Sequence, residues 1–208
     1  MEMRFMPIGI MGGTFNPIHI GHLIIAEYVR EEFKLDSIIF IPNGNPPHKS
    51  YENLIDAKLR LSLMEKAIAD NCFFISSDIE LRSDKINYTI DTLRKLKSQY
   101  IDDELFFIVG ADTLFELDSW KDFANVSKLT NFIVYKRATY VSETIDLKIK
   151  KLKSTYSAKV FESRGPFIDI SSTLIRDRIA KGLSIKYLVP DSIRQDVTKI
   201  YGGNWYEL

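Results

Sequence analysis

The stretch from Gly12 to His22, GGTFNPIHIGH, restricts the choice of fold more than any other part of the chain. Apolar residues Ile8, Ile10 and Met11 lead into it, as in a buried strand. Two glycines then remove Cβ atoms where backbone must turn sharply or approach a ligand. Asn16-Pro17 makes a turn and fixes φ at the entry to a helix. From Gly21 the spacing is helical, with Ile25, Ala26, Val29 and Phe33 set to face a core. Strand, glycine loop and helix together aim backbone N–H groups and the positive end of a helix at one spot. A phosphate is the natural occupant. His19 and His22, three residues apart, can face the same spot. Glycine followed by a helix is common in α/β proteins, so the glycines alone say little. Zinc is a second reading of the histidines, but it needs three or four ligands, and the chain adds only His48 and Cys72. The coincidence of glycines, turn proline and two histidines at one junction favours phosphate.

The chain has 208 residues, enough for one α/β domain with a short appendage. Its formal net charge is zero, which speaks against a dedicated nucleic-acid binder. With one cysteine there is no internal disulfide, and a reducing compartment is expected. Cys72, beside Phe73 and Phe74, reads as buried core. The start, MEMRFMPIGIMGG, is too charged for a signal peptide, and no apolar run approaches membrane-spanning length. The expectation is a cytoplasmic protein with no membrane partner.

Beyond the first helix, strands and helices alternate. Ser37 to Ile41 reads as a buried strand ending at Pro42. The loop PNGNPPHKS comes next, with three prolines that exclude regular structure. Its Lys49 is either an exposed loop lysine or a phosphate contact at the sheet edge that carries function in open α/β folds. Asp56 to Ala69 reads as a helix capped by Asp56, and Cys72 to Ser76 as a strand. A polar stretch leads to a helix from about Thr89. Glu104 to Val109 is the most apolar strand and runs into Gly110-Ala111-Asp112, where Asp112 either caps the next helix or bonds a ligand hydroxyl. Trp120 is either a half-buried structural residue or a platform for a flat ring. Asn131 to Tyr135 is a strand, Ser142 to Tyr156 a helix, and Ala158 to Phe161 a short strand. The alternation predicts an α/β, Rossmann-like, doubly wound parallel sheet with a small C-terminal helical part. A single domain over 1–208 is expected, with about 165–208 as a helical subdomain.

A second motif lies at Asp169 to Arg176, DISSTLIR. Consecutive hydroxyls before an amphipathic helix (Ile175, Ile179, Leu183) are N-cap candidates and make a second anion site of the helix-terminus type. Arg176 lies one turn in and can bring a fixed charge to the same ligand. An ordinary capped helix with a surface arginine is the plainer alternative. The pairing with GGTFNPIHIGH favours two sites for the ends of one polyphosphate.

His19-Ile20-Gly21-His22 is similar to the phosphate motif of the nucleotidyltransferase superfamily. It is also the signature of class I aminoacyl-tRNA synthetases, which carry a Lys-Met-Ser-Lys-Ser loop that this chain lacks. With ISSTLIR added, and with NPPHK, NYTIDTL, GAD, the Trp120 loop and Arg137 in matching order, nearly the whole chain resembles the nicotinate-nucleotide adenylyltransferases. That resemblance implies condensation of nicotinate mononucleotide with ATP, with Mg²⁺ held mainly by substrate phosphates and no protein metal site. It implies catalytic roles for His19, His22, Lys49 and Arg176. Gly12, Gly13, Thr14, Phe15, Gly110, Asp112, Ile170, Ser171 and Thr173 would contact ATP. Thr89 would offer its backbone N–H to the pyridine carboxylate, Trp120 would stack on the ring, and Arg137 would sit near the mononucleotide. A homo-oligomer stays open. Two departures stand out: Asn16 where the family usually has Asp, and RSDKINYT without the glycine the family tends to place there. The competing readings are an adenylyltransferase for another acceptor such as phosphopantetheine, a non-catalytic nucleotide sensor, and an RNA-linked protein of the synthetase type.

Overall fold

β1 (Ile8–Gly13) occupies the middle of a six-stranded, all-parallel sheet. The computed structural model describes residues 6–44, 54–82, 86–135 and 142–203. The other strands are β2 (Ser37–Pro42), β3 (Phe74–Ser76), β4 (Leu105–Gly110), β5 (Asn131–Tyr135) and β6 (Val160–Glu162). Their order is β3-β2-β1-β4-β5-β6, the doubly wound arrangement that the alternation predicts. The order reverses between β1 and β4. β1 pairs with β2 as far as Gly13↔Pro42, but with β4 only as far as Ile10↔Phe107. Beyond that point β1 and β4 part, and a crevice opens at the C-terminal edge of the sheet.

Helices cover both faces, because side chains alternate sides along each strand. Met11, Ile38, Phe40, Phe106, Ile108 and Ile133 point to one face. There they meet α1 (Ile20–Glu32), α2 (Ala57–Ile68), α7 (Ser172–Ala180) and α8 (Asp191–Gly202). Ile10, Ile39, Phe107, Val109, Phe132 and Val134 point to the other. That face is covered by α3 (Thr89–Gln99), α4 (Ala111–Glu116), α5 (Phe123–Leu129) and α6 (Ser142–Tyr156). Each fully buried side chain of this size contributes about 1.5–3 kcal/mol. Ile175, Ile179, Ile193 and Val197 belong to the first cluster, so the C-terminal helices share their core with the sheet. α5 was not legible as a separate helix. It comes after Trp120, beyond a left-handed Asp122.

Asp56 caps α2 as expected, accepting from Lys58 N at 2.8 Å and Leu59 N at 3.3 Å. The expectation for Cys72 fails: it is exposed, and Phe73 is 43 % exposed. β3 is an edge strand and begins only at Phe74, so Cys72 and Phe73 sit in the turn that precedes a sheet edge. Phe73 lies instead under the Arg30 guanidinium, 4.1 Å from the ring centre. Among the described residues, no helix is long and apolar enough to cross a membrane.

Candidate active site

The β1–α1 loop is built around close approaches. Phe15 has φ +48°, a left-handed conformation that costs a non-glycine residue energy and recurs at ligand sites. His19 is the N-cap of α1, and its ring stacks on that of His22 with centroids 3.6 Å apart. Gly21 allows this. A Cβ there would lie 3.0 Å from His19 Nδ1 and 3.0 Å from Ile168 Cγ2, where the chain leading to α7 crosses α1. The His19 backbone N–H donates to His22 Nδ1 at 3.2 Å. A neutral His22 that accepts at Nδ1 carries its proton on Nε2, so that nitrogen is a hydrogen-bond donor. His19 is buried, whereas His22 is partly open. Phe15 meets the His22 ring edge-on at 5.0 Å.

The ISSTLIR helix lands on this loop although 155 residues or more separate the partners. Ser172 Oγ donates to the Pro17 carbonyl at 2.8 Å, and Arg176 Nη1 to the Asn16 carbonyl at 2.7 Å. Arg176 Nη2 donates to Thr173 Oγ1 at 3.2 Å. Ser171 caps α7, accepting from Leu174 N at 3.1 Å, and Ile170 packs half-buried beside it. The two motifs therefore share one site, with both helix N-termini at it.

On the far side, the crevice where β1 and β4 part is a cleft of about 290 Å³. Its walls include Gly12, Gly13, Thr14, Thr89, Gly110 and Trp120. A Cβ on Gly12 would sit 3.1 Å from the Phe107 ring. Thr89 is the first residue of α3, in the turn whose N–H groups have no carbonyl partner within the helix. Trp120 is half-buried, edge-on to Phe107 at 5.6 Å and to Phe132 at 6.4 Å. It is anchored structurally and faces the cleft, so the two readings are compatible. Asp112 does not cap α4. Gly110 holds the N-cap position with no side-chain bond, and the Asp112 carboxylate folds back over Gly110. His48, Lys49 and Arg137 lie outside the described residues. A roomier cleft of about 450 Å³ opens at the opposite end of β4 and β5, away from the switch point.

Four residues at the site were not singled out as contacts from the sequence. Arg60 is buried and donates to three backbone carbonyls. Its spacing to Leu63, Met64 and Ala67 puts a charge on the apolar stripe of α2, a visible signal. Asn16 Oδ1 accepts from the Tyr201 hydroxyl at 2.7 Å and from Ile55 N at 3.4 Å, which ties α8 to the loop. Glu80 lines the cleft and accepts from Thr92 Oγ1 at 2.8 Å. Burial pushes its carboxyl above the ordinary range, against the opposing bonds from Thr92 and the Gly44 backbone. Among the described residues no three His, Cys, Asp or Glu side chains gather as a metal site.

Two helix N-termini meet at the switch point of a doubly wound sheet, and a cytidylyltransferase-like family model matches residues 10–178, which places the chain among the nucleotidyltransferases. A Thermoanaerobacter sp. protein named probable nicotinate-nucleotide adenylyltransferase is 42 % identical over 197 residues, 94 % of this chain and 93 % of its own. A Clostridium novyi protein of the same name is 42 % identical over 192 residues, 92 % of this chain and 96 % of its own. The chain belongs to the nicotinate-nucleotide adenylyltransferase family. The fold is shared with Plasmodium falciparum nicotinic acid mononucleotide adenylyltransferase complexed with NaAD. That match has a TM-score of 0.76 at 22 % identity, over 96 % of this chain and 98 % of the other.

Proposed function

We propose that this chain transfers the adenylyl group of ATP to nicotinate mononucleotide, giving nicotinate adenine dinucleotide and pyrophosphate in NAD biosynthesis. The observation that carries the reading is the fastening of α7 onto the β1–α1 loop, Arg176 to the Asn16 carbonyl and Ser172 to the Pro17 carbonyl, beside a cleft edged by Trp120. Family membership supports it.

In this reaction a phosphate oxygen of the mononucleotide attacks the α-phosphorus of ATP. One P–O bond forms there, and the bond to the β-phosphate oxygen breaks. The acceptor phosphate has a second pKa of about 6 and is mostly dianionic at pH 7, so no general base is required. Catalysis is placement and charge stabilisation. Gly12, Gly13, Thr14 and Phe15 receive the ATP phosphates on backbone groups. His19 and His22 bond the phosphates and the charge that builds on them, with His22 donating from Nε2. Ser171, Thr173, Arg176 and the backbone at Ile170 hold the departing pyrophosphate. Gly110 and Asp112 contact ribose or adenine. Lys49 and Arg137 take the mononucleotide, by resemblance. The Thr89 N–H meets the pyridine carboxylate, and Trp120 stacks on the ring.

Among the described residues, the side chains with oxygen that line the cleft are Thr14, Asn43, Glu80, Thr89, Thr92 and Thr113, with Glu80 the single carboxylate. That donor set fits a Mg²⁺ carried on ATP phosphate oxygens and waters, with the chain gripping the phosphates. When bound, the ion neutralises phosphate charge. The single cysteine supports a reducing, cytoplasmic setting, the small cleft supports small-molecule substrates, and the core that α7 and α8 share with the sheet supports one working domain.

Pyrophosphate release is the test, with ATP and Mg²⁺ and each of nicotinate mononucleotide, nicotinamide mononucleotide and phosphopantetheine. A carboxylate prefers paired N–H donors, whereas an amide also needs an acceptor. Nicotinate mononucleotide should therefore exceed the amide by about tenfold or more. Faster release with phosphopantetheine would replace the acceptor named here.

A further inference from the structure

Arg60 is 1 % exposed and lies on the core-facing stripe of α2. Burial pulls its guanidinium below the ordinary value. Among the described residues no carboxylate pairs with it; Asp56 and Glu80 act on it only at longer range. A buried charge held without an ion pair is costly, and here it is compensated by three backbone carbonyls. Nε donates to Ile55 at 3.2 Å, Nη1 to Thr14 at 2.7 Å and Nη2 to Asn43 at 2.8 Å.

The three carbonyls are not a random set. Thr14 belongs to the glycine loop after β1. Asn43 directly follows β2, and Ile55 directly precedes the cap of α2. One planar group thus joins the phosphate loop to both ends of the segment between β2 and α2. Further bonds run alongside: Asn43 N to the Gly13 carbonyl at 2.8 Å, and Ile55 N to Asn16 Oδ1 at 3.4 Å. The Thr14 bond also orients the next amide. In a trans peptide the carbonyl and the N–H of the same unit point in opposite directions. Fixing the Thr14 oxygen toward Arg60 turns the Phe15 N–H away from Arg60, and the left-handed φ of Phe15 shows that this local shape is imposed.

We propose that Arg60 is a positioning residue for adenylyl transfer: it sets the orientation of the Thr14–Phe15 peptide, and so of a phosphate-binding N–H, relative to Asn43 just after β2 and Ile55 just before α2. This rests on the reading under Proposed function. A lysine could not substitute, because a point ammonium does not span three carbonyls arranged for a fork.

The test uses the full chain with Arg60→Met and Arg60→Lys, read in two ways. Hydrogen exchange compares the amides of Asn43 and Ile55 with those of β4. The kinetic arm measures pyrophosphate release, with kcat and both KM values, beside the wild type. The expected result is faster exchange at Asn43 and Ile55 together, unchanged exchange in β4, and kcat lowered about 10²-fold, with Arg60→Lys no better than tenfold above Arg60→Met. Where the Met variant fails to fold, Arg60→Lys carries both readouts. In Arg60→Ala, millimolar guanidinium should restore kcat at least tenfold while sodium at equal concentration does not. Unchanged exchange at both amides, or wild-type kcat in a folded variant, overturns the proposal. A wild type that releases no pyrophosphate with any acceptor, while the exchange pattern appears, refutes the proposed reaction and leaves the anchoring by Arg60 standing.

Discussion

On the β1 side of the cleft, polar side chains from three distant helices reach the same loop. Arg60 comes from α2, Ser172 and Arg176 from α7, and Tyr201 from α8. On the β4 side the contacts around Trp120 are of another kind. Trp120 leans on Phe107 and Phe132. Its neighbours are tied by Lys121 over the Tyr88 ring at 3.8 Å, and by Arg94 with Asp122 at 3.4 Å. Hydrogen bonds to main-chain carbonyls fix direction, because they weaken steeply when bent. Aromatic contacts accept a wide range of centroid separations, about 4.5–7 Å, and exposed ion pairs contribute at most about 1 kcal/mol. One wall is therefore held in a fixed geometry and suits a reacting polyphosphate. The other is held by shape and suits a flat ring. Substitutions on the first should act on kcat, and those on the second on KM.

The sharpest way to break this contrast is His22→Ala. In the proposed reaction it removes a donor to the developing phosphate charge and leaves the aromatic wall alone. The expected loss is about 10²–10³-fold in kcat, with KM for nicotinate mononucleotide within a few-fold. A raised KM at unchanged kcat would erase the distinction. Trp120→Ala probes the opposite wall. It should raise KM for the mononucleotide about tenfold or more and leave KM for ATP nearly constant, since stacking on a base-like ring is worth about 1–3 kcal/mol. Trp120→Phe should recover most of the affinity. A matching rise in both KM values would mean that the two walls act as one.

Tyr201→Phe is a finer probe of the polar wall. The hydroxyl is buried against Asn16 Oδ1, and burial keeps its proton well above the ordinary tyrosine range. Its loss should cost about 1 kcal/mol in urea unfolding, and a several-fold drop in kcat should accompany it. Lost stability with full kcat would confine α8 to a scaffolding role.

Much of this was legible in the sequence. Glycines at a strand–helix junction and hydroxyls before a periodic helix have local meanings, so the starts of α1 and α7 could be read, and strand–helix alternation implied the parallel sheet. What escaped depends on tertiary placement. The divergence of β1 from β4 is a matter of register, which no single segment encodes. Cys72 was misread because an apolar run does not say whether its strand is central or at an edge. Asp112 was a plausible cap until Gly110 took that position. Arg60 broke the apolar pattern of α2 visibly, yet its partners are carbonyls, which every residue carries and no sequence distinguishes. The Asn16–Tyr201 bond spans nearly the whole chain.

The smallest effect is expected where the β4 wall meets α6. Lys148 Nζ donates to Asp118 Oδ1 at 2.6 Å and to the Phe115 carbonyl at 2.8 Å, and Lys151 Nζ donates to Asp118 Oδ2 at 3.0 Å. These ammonium groups hold the Asp118 carboxyl down at about 2, below its ordinary 3.8. A carboxylate with a depressed folded-state pKa stabilises fully above its unfolded value and loses that stabilisation as pH falls through the folded one. The pair is only partly shielded from water, with Asp118 20 % exposed and Lys151 62 %, so about 1 kcal/mol is expected at pH 7. Asp118→Asn should show that deficit in urea unfolding at pH 7, and the gap to wild type should close between pH 3.8 and about 2. KM for the mononucleotide should rise less than in Trp120→Ala, because Phe107 and Phe132 still brace the ring. A gap that stays constant down to pH 2 would mean that Asp118 works through packing rather than charge. A KM as high as that of Trp120→Ala would mean that this ion pair, and not the aromatic contacts, holds the ring wall in place.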